Sequence, residues 1–207
     1  MKIPIAIGTL LLATILSHSA RAESLTDNIE GWLFYIHGER EGFEFSELRY
    51  EETDRVAGSG CLAYDAKGKS SPSLWVRMTL QKLPEIVDLT RQQSLAFSYK
   101  LTAHSDLISD SGSAIQAIGM GVELSNTQSG ANIRSDDKLI PDGEWHEVVI
   151  PIEDFKTKAS ELEQSEGWDR TDMTTISIIQ SIGSAEQLDY TLKIANLHFV
   201  PIPEAKK

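Results

Sequence analysis

A two-residue period governs most of this chain. In Ser94–Ala103, Leu95, Phe97, Tyr99 and Leu101 alternate with Ala96, Ser98, Lys100 and Thr102. Successive side chains of an extended strand point to opposite faces, so this pattern buries one set and leaves the other outside. Ser73–Gln81 repeats it: Leu74, Val76, Met78 and Leu80 oppose Trp75, Arg77, Thr79 and Gln81. In Ile118–Leu124 four apolar residues oppose Gly119, Gly121 and Glu123, and Trp145–Ile152 places His146, Val148, Ile150 and Ile152 together. Further strands are predicted at Gly42–Tyr50, Gly60–Ala66, Ala131–Ser135, Thr175–Ile182 and Tyr190–Phe199. Turn-forming runs at Lys67–Pro72, Ser109–Gly112 and Pro141–Gly143 separate them. Only Glu153–Glu163 suggests a helix, and a short one. Roughly eight or nine strands at this spacing predict an all-β, two-sheet antiparallel sandwich.

The first residues have the layout of an export signal. Lys2 is followed by an almost wholly apolar, uncharged run from Ile3 to Leu16 and then by Ala20-Arg21-Ala22, the small-x-small pattern of a cleavage site. The run is shorter than the ~20 residues of a membrane helix. The expected organisation is a cleaved signal peptide over 1–22, one domain over 23–201 and a frayed tail over 202–207, with the mature protein periplasmic or secreted. No other segment is hydrophobic enough to span a membrane.

The formal net charge is −12, and removing the leader removes Lys2 and Arg21 but no acid. Such a surface repels phosphate backbones and heavily sulfated polymers, which excludes nucleic acid as a natural partner and favours a neutral ligand or a bound cation. Cys61 is the sole cysteine, so neither an intramolecular disulfide nor a thiolate metal cluster can form. Within Gly60–Tyr64 it reads as a buried small hydrophobe.

Several segments resemble one fold family. Asp142-Gly-Glu-Trp-His-Glu-Val-Val-Ile-Pro-Ile-Glu-Asp-Phe155 is similar to the strand-and-turn segment of galactose-binding-like jelly rolls. Met173–Ile178 and Tyr190–Phe199 resemble their later strands, and Gly31-Trp32 with Gly58–Leu62 resembles their opening strand and its return. The resemblance implies a two-sheet jelly-roll β-sandwich of the carbohydrate-binding-module type. It further implies a tight turn at Asp142-Gly143, Trp145 covering one end of the sandwich, and Pro151 ending an edge strand. The closing strand of such domains often carries an aspartate that ligates a structural calcium. Asn196 stands there instead and brings an amide oxygen without charge. Glu47 and Asn196 are the candidate metal ligands, and a structural calcium is a possible cofactor, with no cofactor certain.

One outward face combines an aromatic ring with polar groups. If the strands carrying Trp75, Lys100 and Glu123 are neighbours, that face holds Trp75, Arg77, Lys100 and Glu123 beside the shallow floor of Gly119 and Gly121. An aromatic plane stacks on the C–H face of a pyranose while charged and amide groups take its hydroxyls. The amide-rich stretch Ser125–Arg134 adds Asn132 and Arg134 as contacts. Trp32 and Trp145 read as structural, and Trp168 as a loop residue. The chain has no paired-carboxylate strand motif, nucleophile elbow or phosphate loop. The expected function is an exported, non-catalytic carbohydrate-binding module that recognises a neutral polysaccharide or oligosaccharide on one sheet face. The alternatives are a structural or protein-interaction domain with an envelope-protein partner, in the cell envelope or exopolysaccharide machinery, and a glycan hydrolase or lyase.

Overall fold

A computed structural model describes residues 24–38, 42–126, 132–157 and 170–203, with the backbone alone at 132–136, 156 and 157. The predicted signal peptide and the loop residue Trp168 lie outside the described residues.

Thirteen strands run in chain order: β1 Trp32–His37, β2 Phe43–Phe45, β3 Arg49–Val56, β4 Ser59–Ser70, β5 Trp75–Leu80, β6 Gln92–Ala103, β7 Ile108–Ser109, β8 Ile118–Ser125, β9 Asn132–Leu139, β10 Asp142–Pro151, β11 Lys156–Thr157, β12 Thr175–Ser181 and β13 Ala185–Pro201. They form two antiparallel sheets. The first has the order β1-β5-β12-β8-β9-β11; the second has β10-β6-β13-β4-β2, with β3 also on β4 and β7 on β13. Chain neighbours are often split between sheets, as β5 and β6 are, so the strand order is that of a jelly roll rather than a meander.

The alternating residues fill the space between the sheets. Val76 and Met78 of β5, Met120 and Val122 of β8, and Ile176 and Ile178 of β12 face Leu95, Phe97 and Leu101 of β6, Leu62 of β4 and Leu192 and Ile194 of β13. Each such side chain contributes about 1.5–3 kcal/mol by leaving water. One polar cluster sits in this layer. Gln180 Oε1 accepts hydrogen bonds from the hydroxyls of Tyr64 and, at 2.9 Å, of Tyr190. Burial, first of all, pushes the Tyr64 hydroxyl well above its ordinary pKa.

Five expectations need correction. The helix over 153–163 does not form in its described part: Ile152–Asp154 is a 3-10 turn and Lys156–Thr157 a short strand. Phe155 is buried and extended between them, and anchoring it in the core takes the chain out of the helical path. The single strand over 42–50 is split into β2 and β3, because the Ser46 hydroxyl accepts the Asp65 N–H at 2.9 Å and interrupts the ladder. Trp145 covers no sandwich end. It points outward from the second sheet with Glu147 and Val149, and its indole N–H donates to Asp54 Oδ1 at 3.1 Å. The tight connection between β9 and β10 is Ile140-Pro141, while Asp142-Gly143 forms a bulge at the start of β10, with Gly143 at φ +78°. Finally, the tail is still held at its first residue, where Ile202 N donates to Arg91 O at 2.9 Å; residues 204–207 lie outside the described residues.

Pro151 does end β10, an edge strand of the second sheet. Cys61 is fully buried, and that burial, the largest influence on it, raises its thiol pKa to about 11.

Candidate functional site

Strand register decides which outward residues meet. On the first sheet, β5 lies between β1 and β12, with Tyr35 opposite Arg77 and His37 opposite Trp75 on one side, and Arg77 opposite Ile179 and Trp75 opposite Ser181 on the other. Beyond β12 comes β8, where Gly119 faces Ser181, Gly121 faces Ile179 and Glu123 faces Ser177. Val76, Met78, Ile178 and Val122 point into the core, so these partners all share the outer face.

The face is an ordered array. His37 and Trp75 stack as parallel rings, centroids 4.0 Å apart and 4° from coplanar. The Arg77 guanidinium carbon lies 5.6 Å from the Trp75 ring centroid, within cation–π range. Arg77 then reaches across β12, and its Nη2 donates to Glu123 Oε2 at 2.8 Å. The Glu123 side chain is only 5 % exposed against 27 % for Arg77. Glu123 therefore anchors the guanidinium from beneath, and Arg77, Trp75, His37 and Tyr35 are the groups a ligand can reach. Thr79 and Ser177 hydroxyls share a hydrogen bond of 2.9 Å further along the same face.

Three predicted site residues, Trp75, Arg77 and Glu123, are brought together here, above the glycine floor. Lys100 is not. Strand β6 belongs to the second sheet, where Lys100 pairs with Lys193 and Trp145. Its Nζ lies 3.6 Å from Asp54 Oδ2 and 6.0 Å from the Trp145 ring centroid. Period-two alternation specifies a face but not which strands adjoin, so the assumed neighbourhood was wrong for this residue. Asn132 and Arg134 fall on β9, with their backbones in register with Ser125 and Glu123; their side chains lie outside the described residues.

Glu47 and Asn196 do not form a common metal site. Glu47 follows Ser46, which bonds the Asp65 backbone, whereas Asn196 follows Ala195, the register partner of Cys61. Four residues of β4, about 13 Å at strand rise, separate those levels. Among the described residues no three His, Cys, Asp or Glu side chains cluster as ligands. Asn196 has φ +54° and sits in a bulge of β13, with its carbonyl accepting from His198 Nδ1 at 2.7 Å.

Sequence reading missed the contributions of β1 and β12. In Trp32–His37 every side chain is large, so the alternation shows little polarity contrast although Trp32 is buried and Tyr35 exposed. The paired aromatics Tyr35 and His37 were the available signal.

On the outer face of the second sheet, several charges of β3, β4 and β13 pair with one another. Lys193 bridges Glu51 at 2.6 Å and Asp54 at 3.0 Å, and Arg49 bonds both oxygens of Asp65. These bonds tie β3 down over β4 and β13.

Compared by sequence, the chain matches no family model and no curated protein. Compared by structure, it is similar to the family 11 carbohydrate-binding module of a cellulosomal cellulase of Clostridium thermocellum: TM-score 0.57, 14 % identity, covering 90 % of this chain and 98 % of that one. A family 11 module from Clostridium thermocellum in complex with a β-1,3-1,4-mixed-linked tetrasaccharide gives TM-score 0.56 at 14 % identity, over 90 % of this chain and 100 % of that one. A family 28 module specific for non-crystalline cellulose gives TM-score 0.51 at 14 % identity, over 88 % and 97 %. The fold is that of carbohydrate-binding modules. This jelly roll carries the aromatic and charged array on the outer face of its first sheet. No helix among its described residues is long and apolar enough to cross a membrane.

Proposed function

We propose that the protein is an exported, non-catalytic carbohydrate-binding module, periplasmic or secreted, that holds a neutral glycan against the outer face of the first sheet. The observation that supports this reading best is the continuous array His37–Trp75–Arg77–Glu123, which spans β1, β5 and β8 on one face of a carbohydrate-binding-module fold. Trp75, with the exposed Tyr35 and His37 beside it, supplies aromatic surface for a pyranose C–H face, and Arg77, fixed by Glu123, offers planar N–H donors to paired hydroxyls. The acidic surface favours an uncharged polymer over an anionic one.

The test is affinity electrophoresis of residues 23–207 against neutral polysaccharides, with calcium and with a chelator. Retardation that is lost in Trp75→Ala supports the reading; unchanged retardation in Trp75→Ala with Arg77→Ala moves the site elsewhere. A requirement for calcium would support a structural ion. Incubation with the bound polysaccharide is expected to release no reducing ends, and release would reinstate the hydrolase alternative.

A further inference from the structure

We infer that the ring on which this face stacks a sugar is Tyr35, and that the glycan lies along edge strand β1 with one side overhanging the sheet. Chains that carry side branches are then accepted as readily as plain ones. The inference rests on the carbohydrate-binding reading above. Trp75 has no free face of its own. His37 stacks on it with ring centroids 4.0 Å apart, and the Arg77 guanidinium carbon lies over the indole, 5.6 Å from its centroid. The indole is the packed centre of the array and holds His37 and Arg77 in place. A pyranose needs a ring that is still open.

Tyr35 is that ring. Trp32 is buried and Phe34 and Ile36 pack against the core, so Leu33, Tyr35 and His37 share the outer side of β1. All three are exposed, Tyr35 by 39 %. Among the described residues no second ring and no cation packs on Tyr35. Its hydroxyl accepts from Gln81 Nε2 at 3.5 Å. Gln81 lies two residues beyond Thr79, the register partner of Leu33. The bond thus leans the phenol toward the Leu33 end of the strand and away from the His37–Trp75 stack.

Exposure falls steeply inward from β1. The register partners of Leu33 and Tyr35 are Thr79, which is buried, and Arg77, whose side chain is drawn across β12 to Glu123. One strand further in, Ser177 and Ile179 are buried as well. The reachable surface is a band above β1, about 13 Å from Leu33 to His37 at strand rise, with Arg77 and Trp75 along its inner side. The outer side has no such border: β1 ends the first sheet, and among the described strands none lies beyond it. A pyranose stacked on Tyr35 finds the Gln81 amide toward one end of the band and the His37 imidazole at the other for its hydroxyls. Substituents on its outer side point past the sheet edge. A groove would wall the chain on both sides and reject a branch by steric clash; a platform at an edge does not.

The experiment is isothermal titration with two pairs of oligosaccharides that share a backbone: cello-oligosaccharides against xyloglucan oligosaccharides, and manno-oligosaccharides against their galactosylated forms. The plain and branched members of the bound pair are expected to agree within about threefold in affinity. Tyr35→Phe keeps the aromatic plane and should bind like the parent. Tyr35→Leu keeps apolar bulk without the plane and should lose about tenfold, each variant being read where circular dichroism shows it folded. Tyr35→Leu binding like the parent puts the stacking ring elsewhere and overturns the inference while leaving the carbohydrate reading intact. Exclusion of the branched member by about tenfold or more does the same, by showing a chain walled on both sides. No binding to any of these glycans overturns both.

Discussion

Arg77 and Glu123 are joined at 2.8 Å across a strand that belongs to neither of them, because β12 runs between β5 and β8. Removing the buried partner leaves a largely buried guanidinium without its acceptor. Glu123→Ala is expected to lower stability by about 1–3 kcal/mol and to weaken glycan binding by releasing Arg77. Glu123→Gln keeps an acceptor oxygen in place and should lose less of both. Chemical denaturation and titration on the same variants separate the two effects. An Ala variant with native stability would show that the bridge is not energetically significant.

Trp75→Ala should weaken glycan binding by roughly tenfold, the equivalent of about 1.4 kcal/mol, and should also lower the melting temperature, because the ring is mostly buried between His37 and Arg77; binding is therefore read at a temperature where the variant is fully folded. His37→Ala leaves the indole unsupported on one face and should cost less, with His37→Phe recovering most of the loss. If His37→Ala is silent, the stack does not position the ring.

Acidification should loosen β3. Burial by itself would raise the pKa values of Glu51, Asp54 and Asp65, but their bonds outweigh it: Lys193 and Arg49 on Glu51, Lys193 and Trp145 on Asp54, Thr191 and Arg49 on Asp65. All three lie below their ordinary values of 4.5, 3.8 and 3.8 in the folded chain. The unfolded chain then takes up protons first as the pH falls. The stabilisation is complete above the ordinary values and is lost as the pH drops through the lower, folded ones. Melting temperature measured between pH 7 and pH 2 should fall steepest below about pH 4.5, and Glu51→Gln with Asp54→Asn should flatten that slope. An unchanged slope would mean other carboxylates control acid unfolding.

Cys61 is sealed under the β3 hairpin, with its thiol pKa raised to about 11. At pH 8 a thiol reagent should label the native protein far more slowly than the denatured one, and the labelling rate should track unfolding. Fast native labelling would mean that β3 lifts off β4.

Among the described residues, Gly68 is the glycine with the closest neighbour to an added Cβ. It has φ +121°, and a Cβ there would fall 1.9 Å from the Gly42 carbonyl oxygen. Gly68→Ala should detach β2 from β4 and cost more than about 2 kcal/mol, seen as a lowered denaturation midpoint. A midpoint within error of the parent would show that the Gly42 segment shifts without penalty.

Much of the fold was legible in the chain, because alternation is a local consequence of extended backbone. Leu95–Leu101, Val76–Leu80 and Ile118–Leu124 each announced a strand and its buried side, and Cys61 announced its burial. The described start of the helix over 153–163 was misread because Phe155 finds its place in a core that no local rule describes. The site was legible as residue types and not as neighbours. Trp75, Arg77 and Lys100 all point outward from their strands, yet β5 pairs with β12 while β6 pairs with β13, which puts Lys100 on the opposite face of the molecule. The sequence by itself determined an all-β chain and the outward side of each strand, through a period that each residue carries with its own geometry. Only the tertiary structure decided that His37 meets Trp75 and that Arg77 meets Glu123, since pairing between distant strands is settled by how two whole sheets bury their apolar faces together.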